Sequence, residues 1–332
     1  MKTLKKRNIK GLQDFRVLIF AISLFLFSTN LPAQILQPEH FHGQVDKTVS
    51  RLLSKFHYSH LELNDSLSSE IFDRYLDRLD PNKNYFLASQ IARFEKYRNQ
   101  MDEIVLSGQL NPAYEIFNLF KKQVNLRLDK VPQQLKKKFD FTIAEELTFE
   151  NDDETWAKNE EELDEKWRKR LKNQALNLKL AGKDKQGIED ILTKRYQNIQ
   201  RRINQYDSEE VFELFMNAYS QSLDPHTNYF SPITSENFGI RMSLSFEGIG
   251  ARLTTENEYT KIVEIVPGGP ADLDKRLKPN DYIIGVDEHN DGKVIDVIGW
   301  KLDDVVQRIR GKKGSNVRLQ ILPSGDVEGG ES

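Results

Sequence analysis

Cysteine is absent from the 332 residues. The chain therefore forms no disulfide, no thiolate zinc site and no cysteine-linked lipid anchor. A charge excess of either sign is lacking too, because 48 Lys and Arg residues against 51 Asp and Glu residues give a formal net charge of −3. Nucleic-acid binding needs a basic surface, so no nucleic-acid partner is expected.

The N-terminus has the pattern of an export signal. An apolar run at residues 17–27 precedes a small residue, Ala33, which suits cleavage, and it follows six basic residues: Lys2, Lys5, Lys6, Arg7, Lys10 and Arg16. The run is shorter than the roughly 20 apolar residues of a membrane-spanning helix. We expect residues 1–33 to be a signal peptide of an exported, periplasmic protein, with an uncleaved membrane anchor as the alternative.

Residues 34–235 are predicted to form a helical domain. Apolar residues recur there at helical spacing, and the first such stripe is predicted to face the core: Val45, Val49, Leu52, Leu53 and Phe56. The charged segment 150–187 contains Trp156 and Trp167 and is predicted to be a long exposed helix that packs through a narrow stripe.

Residues 236–325 are predicted to form a small β domain. Short β-rich segments at 241–246, 259–266, 281–287 and 316–322 are bounded by Gly, Pro or Asn, and one helix is predicted at 300–309. The fold class is therefore α+β and multidomain, with a plausible hinge in the linker at 230–240.

One phrase, Leu-Asp-Pro-x-x-Asn-Tyr-Phe, occurs at both 79–86 and 223–230. Each copy follows an amphipathic helical stretch. Leucine can anchor the helix end in the core, aspartate can cap the next turn, and proline suits a first helical position. The tyrosine and phenylalanine would pack the turn back onto the core. We interpret the phrase as a repeated helix exit rather than a catalytic motif.

Patterns that carry catalytic or metal chemistry are missing. His57 and His60 lack the His-Glu-x-x-His pattern of a zinc site, and neither Gly-x-Ser-x-Gly nor Ser-x-x-Lys occurs. No cofactor, metal or catalytic residue is assigned to these 332 residues.

The stretch "SFEGIGARL" at 245–253 is the most informative for function. A Gly-Ile-Gly turn entering a strand exposes successive backbone amides that can bind a carboxylate. The predicted carboxylate-binding residues are Gly248, Ile249, Gly250 and Ala251. A bound peptide would run beside Arg252 and Leu253, and its pocket would include Val305, Val306 and Ile309, whereas Leu302 could face either the groove or the core. An ordinary glycine bulge is the alternative interpretation.

The residues that follow resemble a PDZ domain of the circularly permuted form found in bacterial proteases. The resemblance rests on "VPGGPADLDKRLKPNDYIIGVDE" at 266–288 and "GKKGSNVRLQIL" at 311–322. Asn280 stands where that family usually has glycine, and asparagine tolerates the left-handed backbone. Together with "LDPHTNYFSP" and the preceding helical region, the chain resembles the tail-specific, or carboxy-terminal processing, serine proteases over residues 40–325.

That resemblance implies a PDZ domain that binds free C-terminal tails of protein substrates and gates a Ser–Lys protease domain. The chain ends where that domain is expected to begin, with residues 326–332 as the start of the following region. The expected function is substrate recognition for an exported C-terminal processing endopeptidase, with an adaptor left open. The alternatives are a stand-alone exported scaffold or regulator that binds tails without cutting them, and a structural domain with a degenerate PDZ fold that binds no peptide.

Overall fold

A computed structural model describes residues 35–146, 155–243, 248–311 and 314–324. From Pro38 onward the described residues belong to one compact unit. A mostly helical region is followed by a five-stranded sheet with two short helices. In the described part of the chain, no helix combines the length and apolar character required to cross a bilayer.

The helical region contains ten described α-helices and one 3₁₀ helix. Their bounds are α1 His42–Phe56, α2 Asp65–Leu79, α3 Ala88–Phe94, the 3₁₀ helix Glu95–Gln100, α4 Met101–Ser107, α5 Asn111–Leu128, α6 Val131–Lys136, α7 Glu160–Leu180, α8 Lys185–Asn204, α9 Ser208–Leu223 and α10 Pro232–Ser243.

Helix α1 differs from the prediction in which side it buries. Its fully buried residues are polar: His42, Asp46 and Ser50. On the predicted core face, Leu52 and Phe56 are 53% and 68% exposed, and the other three residues are only partly buried. The prediction that this stripe is core is therefore wrong for Leu52 and Phe56 and only partly met by Val45, Val49 and Leu53.

Distant polar partners explain the buried side of α1. His42 Nε2 lies 2.9 Å from Glu209 Oε2 of α9, and its ring stacks on Phe212 with centroids 4.5 Å apart. Ser50 donates a hydrogen bond of 3.3 Å to the carbonyl of Val105. Because these bonds satisfy buried polar groups, they fix the rotation of α1 against the core.

The long helix predicted over 150–187 is shorter than expected: α7 covers Glu160–Leu180, residues 155–159 and 181–184 are not helical, and residues 150–154 lie outside the described residues. The narrow apolar stripe predicted for it is confirmed. Leu163, Trp167, Leu171 and Ala175 are buried at every fourth position. Trp167 also donates its indole N–H to the carbonyl of Asn84 at 2.7 Å. This bond attaches α7 to the first copy of the repeated phrase.

The repeated phrase ends two neighbouring helices, which confirms it as a helix exit. Helix α2 ends at Leu79 and α9 ends at Leu223, and both leucines are buried. The rings of Tyr75 and Phe215 meet edge to face at 5.5 Å between these helices. Each aspartate follows its helix directly but caps a turn rather than a new helix.

The first copy is the more tightly packed of the two. Asp80 is 1% exposed, and its carboxylate accepts three backbone amides: Asn84 at 2.7 Å, Tyr85 at 2.8 Å and Phe86 at 3.1 Å. Phe86 itself is fully buried, as expected for a residue that packs the turn onto the core.

The second copy is more open. Asp224 accepts the Tyr58 hydroxyl at 2.9 Å and the amide of the exposed His226 at 3.1 Å. Phe230 is 39% exposed and contacts Phe238 of α10 at 5.2 Å between ring centroids. The prediction that Phe230 packs this turn onto the core is therefore wrong.

The sheet contains the strands β1 Ala251–Glu256, β2 Tyr259–Ile265, β3 Tyr282–Asp287, β4 Ile295–Asp296 and β5 Arg318–Leu322, with α11 Pro270–Asp274 and α12 Leu302–Ile309. All described pairings are antiparallel, in the order β1-β2-β3-β4 with β5 also on β3. Asn280 has φ of +73°, which confirms the left-handed backbone expected there.

Two predictions before the sheet need correction. Residues 241–243 belong to α10 rather than to a strand, and the rest of that predicted strand lies outside the described residues. The linker at 230–240 is mostly helical too, because α10 spans Pro232–Ser243.

Candidate peptide-binding groove

The carboxylate loop, residues Gly248–Gly250, is held by its carbonyl groups. The carbonyl of Ile249 accepts the amide of Ala271 at 2.8 Å, and the carbonyl of Gly250 accepts the amide of Val266 at 2.8 Å. Within the described residues, the amides of Ile249 and Gly250 donate to no acceptor. The loop thus has the polarity that an anion-binding turn requires.

The buttress turn, residues 266–271, explains why both Gly250 and Gly269 are glycine. Gly250 has φ of +72°, and a Cβ there would lie 3.0 Å from Gly269 Cα. The Asp272 carboxylate supports this turn by accepting the Gly268 amide at 2.9 Å. That bond, followed by the hydrogen bond from Lys275 and then its charge, lowers the pKa of Asp272.

Strand β1 forms one wall of the candidate groove. Among the described strands it pairs only with β2, so its other edge has no strand neighbour. Ala251 and Leu253 pack against the sheet core, whereas Arg252 is exposed and forms an ion pair of 3.2 Å with Glu264 of β2. An irregularity in the register between Arg252 and Leu253 re-aims the strand beside the loop.

Helix α12 forms the other wall, and its apolar residues divide into two pairs. Val305 and Ile309 are 0% and 5% exposed and belong to the sheet core. Leu302 and Val306 are half-buried on the adjoining side. Val305 therefore supports the groove from below and is not part of its accessible surface, contrary to its predicted place in the pocket.

A cavity of about 1020 Å³ is lined in part by the carboxylate loop. Of the predicted site residues, Gly248, Ile249 and Ile309 line it. Its other apolar walls come from Leu277 and from β5 and its approach, at Val317, Leu319 and Ile321. The predicted site residues thus fall into two groups. Gly248, Ile249 and Ile309 line the cavity, whereas Arg252, Leu253, Leu302 and Val306 lie on β1 and α12 and do not.

Sequence reasoning missed two features of the site. It did not link the Pro-Gly-Gly-Pro turn to the Gly-Ile-Gly turn, although two glycine-rich turns of this kind are suited to close backbone packing. It also missed the charged residues at the two ends of α12, Lys301 and Arg310, which contact the helical region. Nothing in local periodicity signals those contacts.

This arrangement of loop, edge strand and helix defines a PDZ domain. The family model for the PDZ domain matches residues 237–322. The model described as the tail specific protease N-terminal domain matches residues 48–233. This match to residues 48–233 covers more than half of the chain. The chain therefore belongs to the tail-specific protease family.

Individual relatives agree with the family match. The tail-specific protease of Haemophilus influenzae is 37% identical over 287 residues, which are 86% of this chain and 41% of the relative. The carboxy-terminal processing protease CtpA of Bacillus subtilis is 34% identical over 138 residues, or 41% of this chain and 28% of the relative. This chain therefore spans less than half the length of either relative.

A solved PDZ domain of the carboxy-terminal protease from Vibrio cholerae, in complex with peptide, is 53% identical. The match covers 24% of the present chain and 82% of the Vibrio cholerae chain, with a TM-score of 0.24.

Proposed function

We propose that this chain is the substrate-recognition part of an exported C-terminal processing protease. Its PDZ domain binds the free C-terminal tails of protein substrates, and tail binding gates proteolysis. The observation that carries this proposal is the carboxylate loop: its carbonyls are bonded to the buttress turn, and the amides of Ile249 and Gly250 donate to no acceptor among the described residues. Export rests on the basic and apolar N-terminal pattern, and hydrolysis rests on the family relationship.

The tail is expected to bind as an added strand. Its terminal carboxylate would accept the amides of Ile249 and Gly250, and its backbone would pair with β1. Leu302 and Val306 would cover the apolar side chains of the tail. Two charge-assisted hydrogen bonds contribute about 3–6 kcal/mol before the entropic cost of ordering the peptide. Strand pairing and one apolar pocket would then bring the affinity to about micromolar, or about −8 kcal/mol, which allows release after capture.

The direct test compares an apolar-ended peptide with its C-terminally amidated twin by fluorescence anisotropy. We expect the amide to bind at least about tenfold more weakly, because the uncharged group loses the charge-assisted bonds. Equal affinities would rule out the carboxylate loop as the binding site.

A second test replaces Gly250 by alanine. Alanine at this position would have to keep the left-handed backbone of Gly250, which L side chains rarely adopt, and its Cβ would lie 3.0 Å from Gly269 Cα, so the loop must shift. We expect peptide affinity to fall about tenfold. Gly292→Ala is the matched control, since Gly292 has φ of +88° and open space around its Cβ. Equal losses of affinity in the two variants would contradict the role of the close packing.

A further inference from the structure

Helix α12 is attached to the helical region at its N-terminal end. Lys301 immediately precedes this helix, and its Nζ lies 2.6 Å from Asp207 Oδ2 and 2.5 Å from Glu210 Oε2 at the start of α9. We call this three-residue set the Lys301 contact. It joins one wall of the groove to a helix outside the PDZ domain.

The acidic side of the Lys301 contact is held firmly. Asp207 Oδ1 accepts the amide of Glu210 at 2.9 Å, and Glu210 Oε2 accepts the amide of Asp207 at 2.9 Å. This reciprocal capping fixes both carboxylates at the N-terminus of α9. Helix α9 itself buries Val211, Phe212 and Phe215 in the core of the helical region. Lys301 is therefore bound to a rigid site rather than to a flexible surface chain.

Hydrogen bonds nearby support the same junction. Gln205 Nε2 donates to the carbonyl of Gly299 at 2.8 Å, two residues before Lys301. At the opposite end of α12, Arg310 donates to Asn237 Oδ1 of α10 at 2.9 Å. Both ends of the helix thus contact the helical region.

The two walls of the groove have different supports. Strand β1 is positioned along its length by its pairing with β2, and the turn after it contacts the helical region, where the carbonyl of Asn257 accepts a hydrogen bond from Arg201 of α8. Helix α12 packs on the sheet through Val305 and Ile309 but is also fixed at each end from outside it. The separation of the two walls therefore depends on the position of α9 and α10.

The electrostatics favour a charged, persistent contact. The Lys301 side chain is only 22% exposed. Burial alone would lower its pKa, but hydrogen bonds to Asp207 and Glu210 outweigh burial and raise it. A cation at a helix N-terminus opposes the helix dipole. The two carboxylates offset that cost and favour this position for Lys301.

We propose that Lys301, Asp207 and Glu210 are positioning residues for tail capture. The helical region sets the spacing between α12 and β1 through them, and so determines peptide affinity without touching the peptide. This inference rests on the proposed function of the groove.

The test measures peptide affinity in the whole 332-residue chain carrying Lys301→Met. We expect about fivefold weaker binding of the free-acid peptide, because the groove is no longer pre-organised. The ratio of acid to amide affinity should stay unchanged, since the carboxylate loop is intact. Lys301→Arg should restore binding, and combining Lys301→Met with Asp207→Asn and Glu210→Gln should add no further loss.

The matched control is Lys261→Met. Lys261 is 23% exposed and pairs with Glu256 at 2.7 Å inside the PDZ domain, so its loss removes an ion pair that involves none of Lys301, Asp207 and Glu210. A structural readout uses spin labels at Lys122→Cys and Gln307→Cys, on α5 and α12, in a chain that has no other cysteine. Their distance distribution should broaden in Lys301→Met and not in Lys261→Met.

The outcomes separate the two proposals. Wild-type affinity in a folded Lys301→Met chain, or an equal loss in Lys261→Met, overturns the positioning role while the proposed function stands. A wild-type chain that binds acid and amide peptides equally overturns the proposed function, and the positioning role with it.

Discussion

Asp80→Ala is expected to lower the free energy of unfolding by about 3 kcal/mol or more. The substitution removes one carboxylate that accepts three backbone amides, at Asn84, Tyr85 and Phe86. Asn84 and Phe86 are buried, so water cannot readily replace the lost acceptor. An unsatisfied buried donor costs about 1–3 kcal/mol. Urea unfolding followed by circular dichroism measures the change.

The second copy of the phrase supplies the control. Asp224→Ala removes the equivalent carboxylate, but its partners include the amide of His226, which is exposed and can be solvated. We expect a clearly smaller loss of stability than for Asp80→Ala. Asp80→Asn should fall between the two, because the amide retains one acceptor oxygen. Equal losses at Asp80 and Asp224 would contradict the assignment of the first copy as the structural anchor.

The repeated phrase shows what a sequence can predict about this fold. A helix exit depends on local chemistry, so leucine, aspartate and proline at 79–81 and 223–225 indicated both helix ends correctly. The different packing of Phe86 and Phe230 was not predictable, because it depends on neighbours far away in sequence. Phe230 faces α10, a helix that was expected to be a linker.

Helix α1 illustrates the same limit. Helical periodicity predicted the helix, but hydrophobicity alone predicted the wrong buried side. The buried residues His42 and Ser50 have partners 167 and 55 residues away. Hydrogen bonding over such separations outweighs the exposure of Leu52 and Phe56 and leaves no local pattern.

The groove was predicted from motif order, and its details depend on helix rotation. Leu302 and Val306 are one turn apart on α12 and half-buried, whereas Val305 and Ile309 are one turn apart and buried in the core. A short helix with four apolar residues does not reveal which pair is buried. The contact of Lys301 with Asp207 joins residues 94 apart and follows from tertiary packing alone.

Asp46→Asn is expected to remove most of a pH-dependent loss of stability. Asp46 is fully buried; one oxygen lies 3.4 Å from the Ser50 hydroxyl oxygen and the other has no partner among the described residues. Burial raises its pKa to about 8, against smaller opposing effects from Ser50 and Lys47. The carboxyl group is therefore protonated in the folded chain at neutral pH.

The direction of the pH effect follows from proton linkage. In the unfolded chain Asp46 loses its proton near pH 4, so between about pH 4 and pH 8 only the folded chain keeps it. The stabilisation from Asp46 is complete below pH 4, falls by roughly 1.4 kcal/mol per pH unit, and is lost as pH rises through 8. Asparagine carries no such proton, so the variant should gain stability relative to the wild type as pH rises.

Urea unfolding at pH 5, 7 and 8.5 tests this expectation. The advantage of Asp46→Asn over the wild type should grow by several kcal/mol across the series, because only the wild type must bury a charge at high pH. Asp190→Asn, at an exposed acid of α8, reports the effect of removing one surface charge. Parallel stability curves for the wild type and Asp46→Asn would show that Asp46 does not retain its proton on folding. The polar buried side of α1 would then have to accommodate a carboxylate, which requires a donor for the unpaired oxygen.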